Sequence, residues 1–125
     1  LTRAEFRHEL SSGATNLLLQ TALNPQLANI IRRGDAGEPL TQDEGVQYRS
    51  RTNGLLRYME DVHYQYRQGL YDEVEFERQK LAWERTFKNG AGMARHWCTV
   101  RELYSPLFVA EIDKFIPPGT CAPAP

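Results

Sequence analysis

The sequence has few cysteines, little net charge and no long hydrophobic run, and each shortage excludes a class of protein. Two cysteines, Cys98 and Cys121, are too few for a disulfide framework and form no Cys-x-x-Cys motif. A formal charge of −1, from 15 basic and 16 acidic residues, provides no field that would draw nucleic acid. No apolar run approaches the roughly 18 residues of a membrane span. We therefore expect free thiols, with Cys98 as a small buried apolar group, and neither nucleic acid nor a cofactor as a partner.

The residues that are present suffice for one globular domain. The chain has 125 residues, of which 41% are hydrophobic and 25% charged. No stretch alternates apolar and polar residues with the period of two that a half-buried strand needs. We predict an all-α, single-domain bundle of five to six helices over residues 1–118, followed by a disordered, proline-rich tail over 119–125.

The bundle is organised around a central stretch over about 41–70. Thr41 and Glu44 form the pattern of a capping box at its start, and Gly69 marks its end. Mostly apolar residues then recur every three or four positions, as they do along one side of a helix: Tyr48, Thr52, Leu55, Met59, Val62, Tyr66 and Leu70. We predict a long central helix here, against which the other helices pack.

The remaining segments carry shorter stripes at helical spacing. The first helix is expected from about residue 2 to 23, and a second begins at Asn24-Pro25 and is expected to end with Gly34 as its C′ residue. The apolar faces predicted for the first helix and for the three last helices are Phe6, Leu10, Ala14, Leu17 and Leu18; Phe76, Lys80, Trp83 and Phe87; Met93, Trp97, Val100 and Tyr104; and Phe108, Val109, Ile112, Phe115 and Ile116.

Two Glu-x-x-His motifs raise the question of a metal site. Glu5 with His8 and Glu60 with His63 have the spacing found in di-iron helix bundles. The helical angles direct Glu5 and His8 away from their apolar stripe, whereas metal ligands must point into the bundle. We predict no metal site, with Glu60 and His63 as the weaker alternative and as the pair on which an enzyme would depend.

Glu60 also has a structural interpretation. It lies on the flank of the central helix, where a carboxylate can pair with an arginine from a later helix. We expect an ion pair with Arg95 or Arg101 and favour it over a catalytic acid, because structural ion pairs also hold carboxylates at helix interfaces.

Tyrosines and arginines interleave on the central helix. Residues of these types can bind single-stranded nucleic acid, but they are also enriched at protein interfaces, and the low net charge favours an interface. Packing of the tyrosines between helices is the simpler alternative. A separate hypothesis is a ligand pocket between helices near Trp83, Trp97 and Arg95. The candidate binding residues are Tyr58, Tyr64, Arg67, Glu60, Arg95 and Trp97.

Four segments carry a family resemblance: NPQLANIIRRG (24–34), LTQDEGVQYR (40–49), MEDVHYQYRQGLYDEVEF (59–76) and GMARHWCTVRELYSPLFVAEIDKFI (92–116). They resemble a loosely defined group of bacterial, largely proteobacterial, proteins of unknown function. Phe76 stands near a position where the group usually has a tryptophan. The matching positions are Asn24, Pro25, Gly34, Glu44, Glu60, Tyr64, Gly69, Trp97, Phe108 and Asp113.

The resemblance implies a location for the domain, next to a membrane, but it implies no activity. In that group a short hydrophobic N-terminal segment precedes a small helical domain. The chain begins at Leu1 and not at Met, so we expect a membrane segment before it and a tethered domain on the cytoplasmic side, with which free thiols are compatible. The predicted function is a non-enzymatic interaction or scaffolding domain with an unknown protein partner, including a possible homodimer. The alternative is a sensor that holds a small ligand between helices.

Overall fold

A computed structural model describes residues 2–121, apart from the side chains of residues 3 and 6. All regular structure in this part of the chain is helical, which confirms the predicted all-α bundle. The central helix has 26 residues and spans about 39 Å, so this prediction is also confirmed. The helices are α1 (Arg3–Leu23), α2 (Pro25–Asp35), α3 (Gln42–Arg67), α4 (Glu73–Lys88), α5 (Ala91–Val100) and α6 (Pro106–Asp113), with a 3-10 turn (Arg101–Leu103) between the last two.

The helices begin where the sequence supplies hydrogen-bond acceptors. The Glu44 N–H donates to Thr41 Oγ1 at 3.2 Å, and the Thr41 N–H donates to Glu44 Oε1 at 3.0 Å. This reciprocal pair fixes the start of α3, and Thr2 with Glu5 forms the same capping box on α1. The Asn24 side chain caps α2 by accepting from the Leu27 N–H. These starts are local, which is why the sequence predicted them.

Glu44 also joins α2 to α3. Its carboxylate forms a part-buried ion pair with Arg33 of α2. The hydrogen bond from Arg33, reinforced by the Thr41 N–H, lowers the pKa of Glu44 to about 2. The carboxylate therefore stays charged at neutral pH and holds the two helices in register.

Gly34 marks a close approach of helices and not the predicted end of α2. The helix continues to Asp35, and Gly34 is buried within it. A Cβ atom on Gly34 would lie 2.4 Å from Cδ2 of Tyr48, and one on Gly92 of α5 would lie 1.8 Å from the Gly34 carbonyl oxygen. The prediction was wrong because the missing side chain serves packing here. The turn beyond α2 uses Gly37, whose φ is +76°.

The core is a cluster that α3, α4, α5 and α6 enclose together. Its aromatic members come from the predicted stripes of α4 to α6, which are confirmed. On α3 most of the predicted stripe is confirmed, since four of its members are buried: Tyr48, Thr52, Met59 and Val62. The difference is at Leu56, which lies outside the stripe and is fully buried, whereas Leu55 is only half-buried. The buried residues are Leu56, Met59, Val62, Phe76, Trp83, Phe87, Met93, Trp97, Tyr104, Phe108 and Ile112.

Helix α1 packs on α3 from outside this core. None of its described side chains is fully buried. Leu10, Ala14 and Leu17 are half-buried, as their stripe predicted, but Leu18 is 68% exposed and that part of the prediction is wrong. Phe6 lies outside the described side chains. The apolar face of α1 is thus only partly covered.

Cys98 and Cys121 form a disulfide, which overturns the expectation of free thiols. It joins α5 to residue 121, with the two Cα atoms 5.2 Å apart across 23 positions. The two cysteines are close because α6 and the turn after it bring the chain back to α5. Their spacing in the sequence does not reveal this proximity. Residues 119–121, which were predicted to begin a disordered tail, are therefore tied to the bundle. Residues 122–125 lie outside the described part.

Candidate functional site

A groove with a volume of about 270 Å³ opens between α1, α3 and α4. Its apolar wall includes Leu17 of α1, Leu55 and Tyr58 of α3, and Ala82 of α4. Its deepest lining residues, Met59 and Trp83, belong to the core and are 1% and 2% exposed. The groove therefore reaches from solvent down to the core.

Helical spacing explains why these residues meet. The lining positions of α3, which are 51, 55 and 58, lie on one side of that helix. The lining positions of α4, which are 79, 82, 83 and 86, also lie on one side of their helix. Ala14 of α1 and Ala82 of α4 also line the groove, and both side chains are short. The groove stays open because the side chains at these two positions are short. Larger side chains there would fill the space between α1 and α4.

Arg51 is the single charged residue among those that line the groove. Its side chain is half-buried, and its guanidinium has no hydrogen bond or ion pair with any residue in the described part of the chain. Its positive charge interacts electrostatically with the Tyr48 hydroxyl. By contrast, Arg7 on α1 pairs with Glu75 at 3.0 Å, and Arg57 pairs with Glu60 at 3.0 Å. Arg51 thus offers an unmatched positive charge beside an apolar wall.

Tyr58 supplies a second polar group. Burial raises the pKa of its hydroxyl, nearby Tyr71 acts in the same direction, and a hydrogen bond with Gln79 acts against them. The hydroxyl therefore remains protonated at neutral pH and keeps its hydrogen-bonding capacity at the groove. Gln79 and Thr86 line the groove as well, so four polar side chains border it.

The predicted interaction patch is not continuous. Tyr58 faces the groove, whereas Tyr64 and Arg67 lie on an exposed side of α3. Tyr64 is 49% exposed, and the Arg67 guanidinium lies 5.6 Å from the centre of its ring. Tyr64 lies six positions after Tyr58, which places it about 240° further around the helix at 100° per residue. The three predicted residues therefore divide between two surfaces.

Glu60 makes a structural ion pair, as predicted, but not with the predicted partners. Its Oε1 accepts from Arg57 at 3.0 Å, one turn earlier on the same helix. Its Oε2 accepts from the Ser105 N–H at 2.8 Å and so caps the start of α6. Arg101 pairs instead with Asp113. The predicted pairing with Arg95 or Arg101 was wrong. The packing of the helices decides which arginine lies near Glu60, and the sequence does not show that packing.

The structure does not bring Trp83, Trp97 and Arg95 together around a pocket. Trp97 is completely buried, and its Nε1–H donates to Asp113 Oδ1 at 2.9 Å. Arg95 is exposed and lies beside Gly37. Trp83 alone of the three lines the groove. The groove therefore lies on the side of Trp83 that faces α1, and not between Trp83, Trp97 and Arg95 as the sequence predicted.

His63 is buried and faces aromatic rings. Its ring centre lies 5.9 Å from that of Phe76 and 5.8 Å from that of Phe108. Among the described residues its Nδ1 atom has no hydrogen-bond partner. Burial, assisted by the charge of Arg67, lowers its pKa. The other member of the motif, Glu60, is engaged at α6. In the described part of the chain no group of three or more potential metal ligands occurs.

A polar cluster between α2, α3 and α5 escaped sequence reasoning. His96 is buried and its Nε2 lies 2.8 Å from Asn53 Oδ1, while the Tyr48 hydroxyl donates to Asp35 Oδ1 at 2.8 Å. The rings of Tyr48 and His96 meet edge to face. Burial lowers the pKa of His96 and raises that of Tyr48. The cluster satisfies buried polar groups, so we assign it to the scaffold.

A larger depression, of about 420 Å³, lies between α4 and α6. Its charged groups already match one another. Lys80 lies 3.0 Å from Glu77 and 3.8 Å from Glu111, and Lys114 lies 3.1 Å from Glu111. The remaining charged residue of its lining, Glu84, pairs with Lys88. None of the charged residues that line this depression therefore lacks a partner, and the groove beside α1 is the better candidate site.

Comparison with known protein families, with curated proteins and with solved structures finds no match to this chain. The resemblance to the bacterial group consequently stays a prediction. None of the described helices combines the length and the hydropathy that crossing a membrane requires.

Acidification should lower the free energy of unfolding. The fold lowers the pKa of both His63 and His96, so below about pH 6.5 the unfolded chain binds more protons than the folded chain, and acid favours unfolding. Urea denaturation at about pH 7.5 and about pH 5 measures the difference. His63→Leu should reduce it, and His8→Leu, at an exposed position, should not. An unchanged pH dependence in His63→Leu would contradict this account.

Proposed function

We propose that this chain is a non-enzymatic helical binding domain that holds a small, largely apolar ligand in the groove between α1, α3 and α4. The observation behind the proposal is the groove itself, a concave surface of about 270 Å³ that reaches the core at Trp83. Ligand sites combine apolar walls with a few polar groups, which here are Arg51, Tyr58, Gln79 and Thr86. The volume equals that of about nine water molecules, which suits a ligand of about ten non-hydrogen atoms.

This proposal reverses the order of the two functions predicted from the sequence. The patch expected to bind a protein is divided between two surfaces, whereas a cavity does occur beside Trp83. The sensor hypothesis is therefore the better supported, with its site on the side of Trp83 that faces α1.

A protein interaction surface is the second candidate. It is supported by Tyr64, which is 49% exposed and stacked with Arg67 on α3. Tyrosine and arginine are enriched at interfaces and in their energetic centres. Such a surface would serve an unknown protein partner or a second copy of the chain, and it does not overlap the groove.

We infer an oxidising compartment for the domain. The Cys98–Cys121 disulfide supports it, because disulfides persist in secreted and periplasmic proteins and are rare in the cytosol. The cytoplasmic expectation relied on free thiols and loses that support. Membrane tethering through a preceding segment rests on the family resemblance and stays a prediction; it would place the domain on the outer side.

Filling the groove should prevent ligand binding. We expect 1-octanol to bind the chain with a dissociation constant on the order of a millimolar, at about −0.5 kcal/mol per non-hydrogen atom. Ala82→Phe should weaken this binding at least tenfold, because the new ring occupies the groove. Amide chemical shifts in a nuclear magnetic resonance titration measure both the affinity and the location. Ala110→Phe, at an exposed position on α6, is the matched control and should bind normally. Equal binding by Ala82→Phe, or none by the natural chain, would refute the proposal.

Loss of Tyr64 should abolish a protein contact without unfolding the domain. Cross-linking in the native membrane fraction should yield an adduct that disappears in Tyr64→Ala, because that ring supplies most of the exposed aromatic surface there. Val74→Ala, which shortens another exposed side chain (67% exposed), should keep the adduct. An adduct that survives in Tyr64→Ala would remove this surface from consideration.

The disulfide should form in the native host and stabilise the fold. We expect no free thiol when cells are lysed in an alkylating reagent, as mass spectrometry of the intact chain would report. Replacing both cysteines, as Cys98→Ser with Cys121→Ser, should lower the free energy of unfolding by about 3 kcal/mol for a loop of this length. Two alkylated cysteines in the protein from its host would argue against an oxidising compartment.

A further inference from the structure

We propose that the natural ligand of the groove is a monoanionic amphiphile, with a carboxylate head on Arg51 and a short hydrocarbon chain along the apolar wall. The inference rests on the proposed function, since it specifies the ligand of the same groove. It starts from one observation: a half-buried arginine, whose guanidinium has no partner in the described part of the chain, borders a cavity that no other charged residue lines.

Within residues 2–121 as the structure describes them, the charge of Arg51 has no counterpart. Among the residues lining the groove there is no aspartate or glutamate, and in the described part of the chain no carboxylate pairs with its guanidinium. A partly desolvated cation gains more from an anion than an exposed one does, because solvent screens it less. An anionic ligand group would supply the missing partner.

A carboxylate matches this cation in geometry and in charge. The guanidinium is planar and can donate two parallel hydrogen bonds to the two carboxylate oxygens. One arginine balances one negative charge, which favours a carboxylate over a group that carries two.

The remaining wall is suited to hydrocarbon. Leu17, Leu55 and the aromatic rings of Tyr58 and Trp83 line it, and Ala82 leaves room between them. At about 30 Å³ for each water-sized group, the volume accepts a chain of about eight carbons. The Tyr58 hydroxyl can additionally donate to the head group, because it stays protonated.

Three eight-carbon probes that differ only in the head group test the inference. Octanoate, 1-octanol and octylammonium are titrated into the natural chain, Arg51→Gln and Arg49→Gln, and binding is followed by amide chemical shifts. We expect octanoate to bind the natural chain at least tenfold more tightly than octanol, and octylammonium to bind most weakly. Arg51→Gln should bind octanoate no better than octanol. Arg49→Gln makes the same charge change two residues earlier, outside the groove lining, and should behave as the natural chain does.

The outcomes separate this inference from the proposed function. Equal affinity for octanoate and octanol would overturn the carboxylate assignment and leave the groove as an apolar site. An equal loss of octanoate binding in Arg49→Gln and Arg51→Gln would also overturn it, because the preference would then come from general surface charge. Failure of all three probes to bind the natural chain would refute the proposed function together with the inference.

Discussion

Phe108 of α6 makes the contacts on which the rest of the fold depends. Its ring centre lies between 5.7 and 6.2 Å from those of His63, Trp83, Trp97 and Tyr104, so three other helices and the segment before α6 meet at one residue. Yet α6 has only eight residues, too few to be stable alone. Glu60 therefore stabilises the start of α6, and the disulfide anchors the chain beyond the end of α6. Both hold Phe108 in the core, the first through a hydrogen bond and the second through a covalent closure.

The groove follows from this arrangement. Once α4, α5 and α6 have covered one side of α3, the opposite side is left to α1, which has no fully buried side chain among those described. Helix α1 packs on α2 and α3 without fully burying any described side chain, and the short side chains of Ala14 and Ala82 leave the space beside Trp83 unfilled. The surface that we propose as a ligand site is thus where the core reaches solvent, and Arg51 adds a charge that the packing leaves unmatched.

Sequence reasoning recovered the helices more fully than the site. Capping boxes and apolar stripes act within one or two turns, so the start of α3 and the buried faces of α4 to α6 were predictable. Tyr58 was among the predicted binding residues and lines the groove, whereas Arg51 was not predicted, because an arginine among many carries no sign that it lacks a partner. The signal that could have drawn attention to it is the spacing of positions 51, 55 and 58 on one side of the helix.

The sequence by itself determined the all-α class, the long central helix and most of the core, because these depend on hydrogen bonds and periodicity within single segments. The tertiary structure decided the partner of Glu60, the pairing of Cys98 with Cys121, the close approach at Gly34 and the position of the groove. Each of these is a distance between segments far apart in the chain. Such distances are set by how the packed helices cross one another, and no local pattern of residues encodes them.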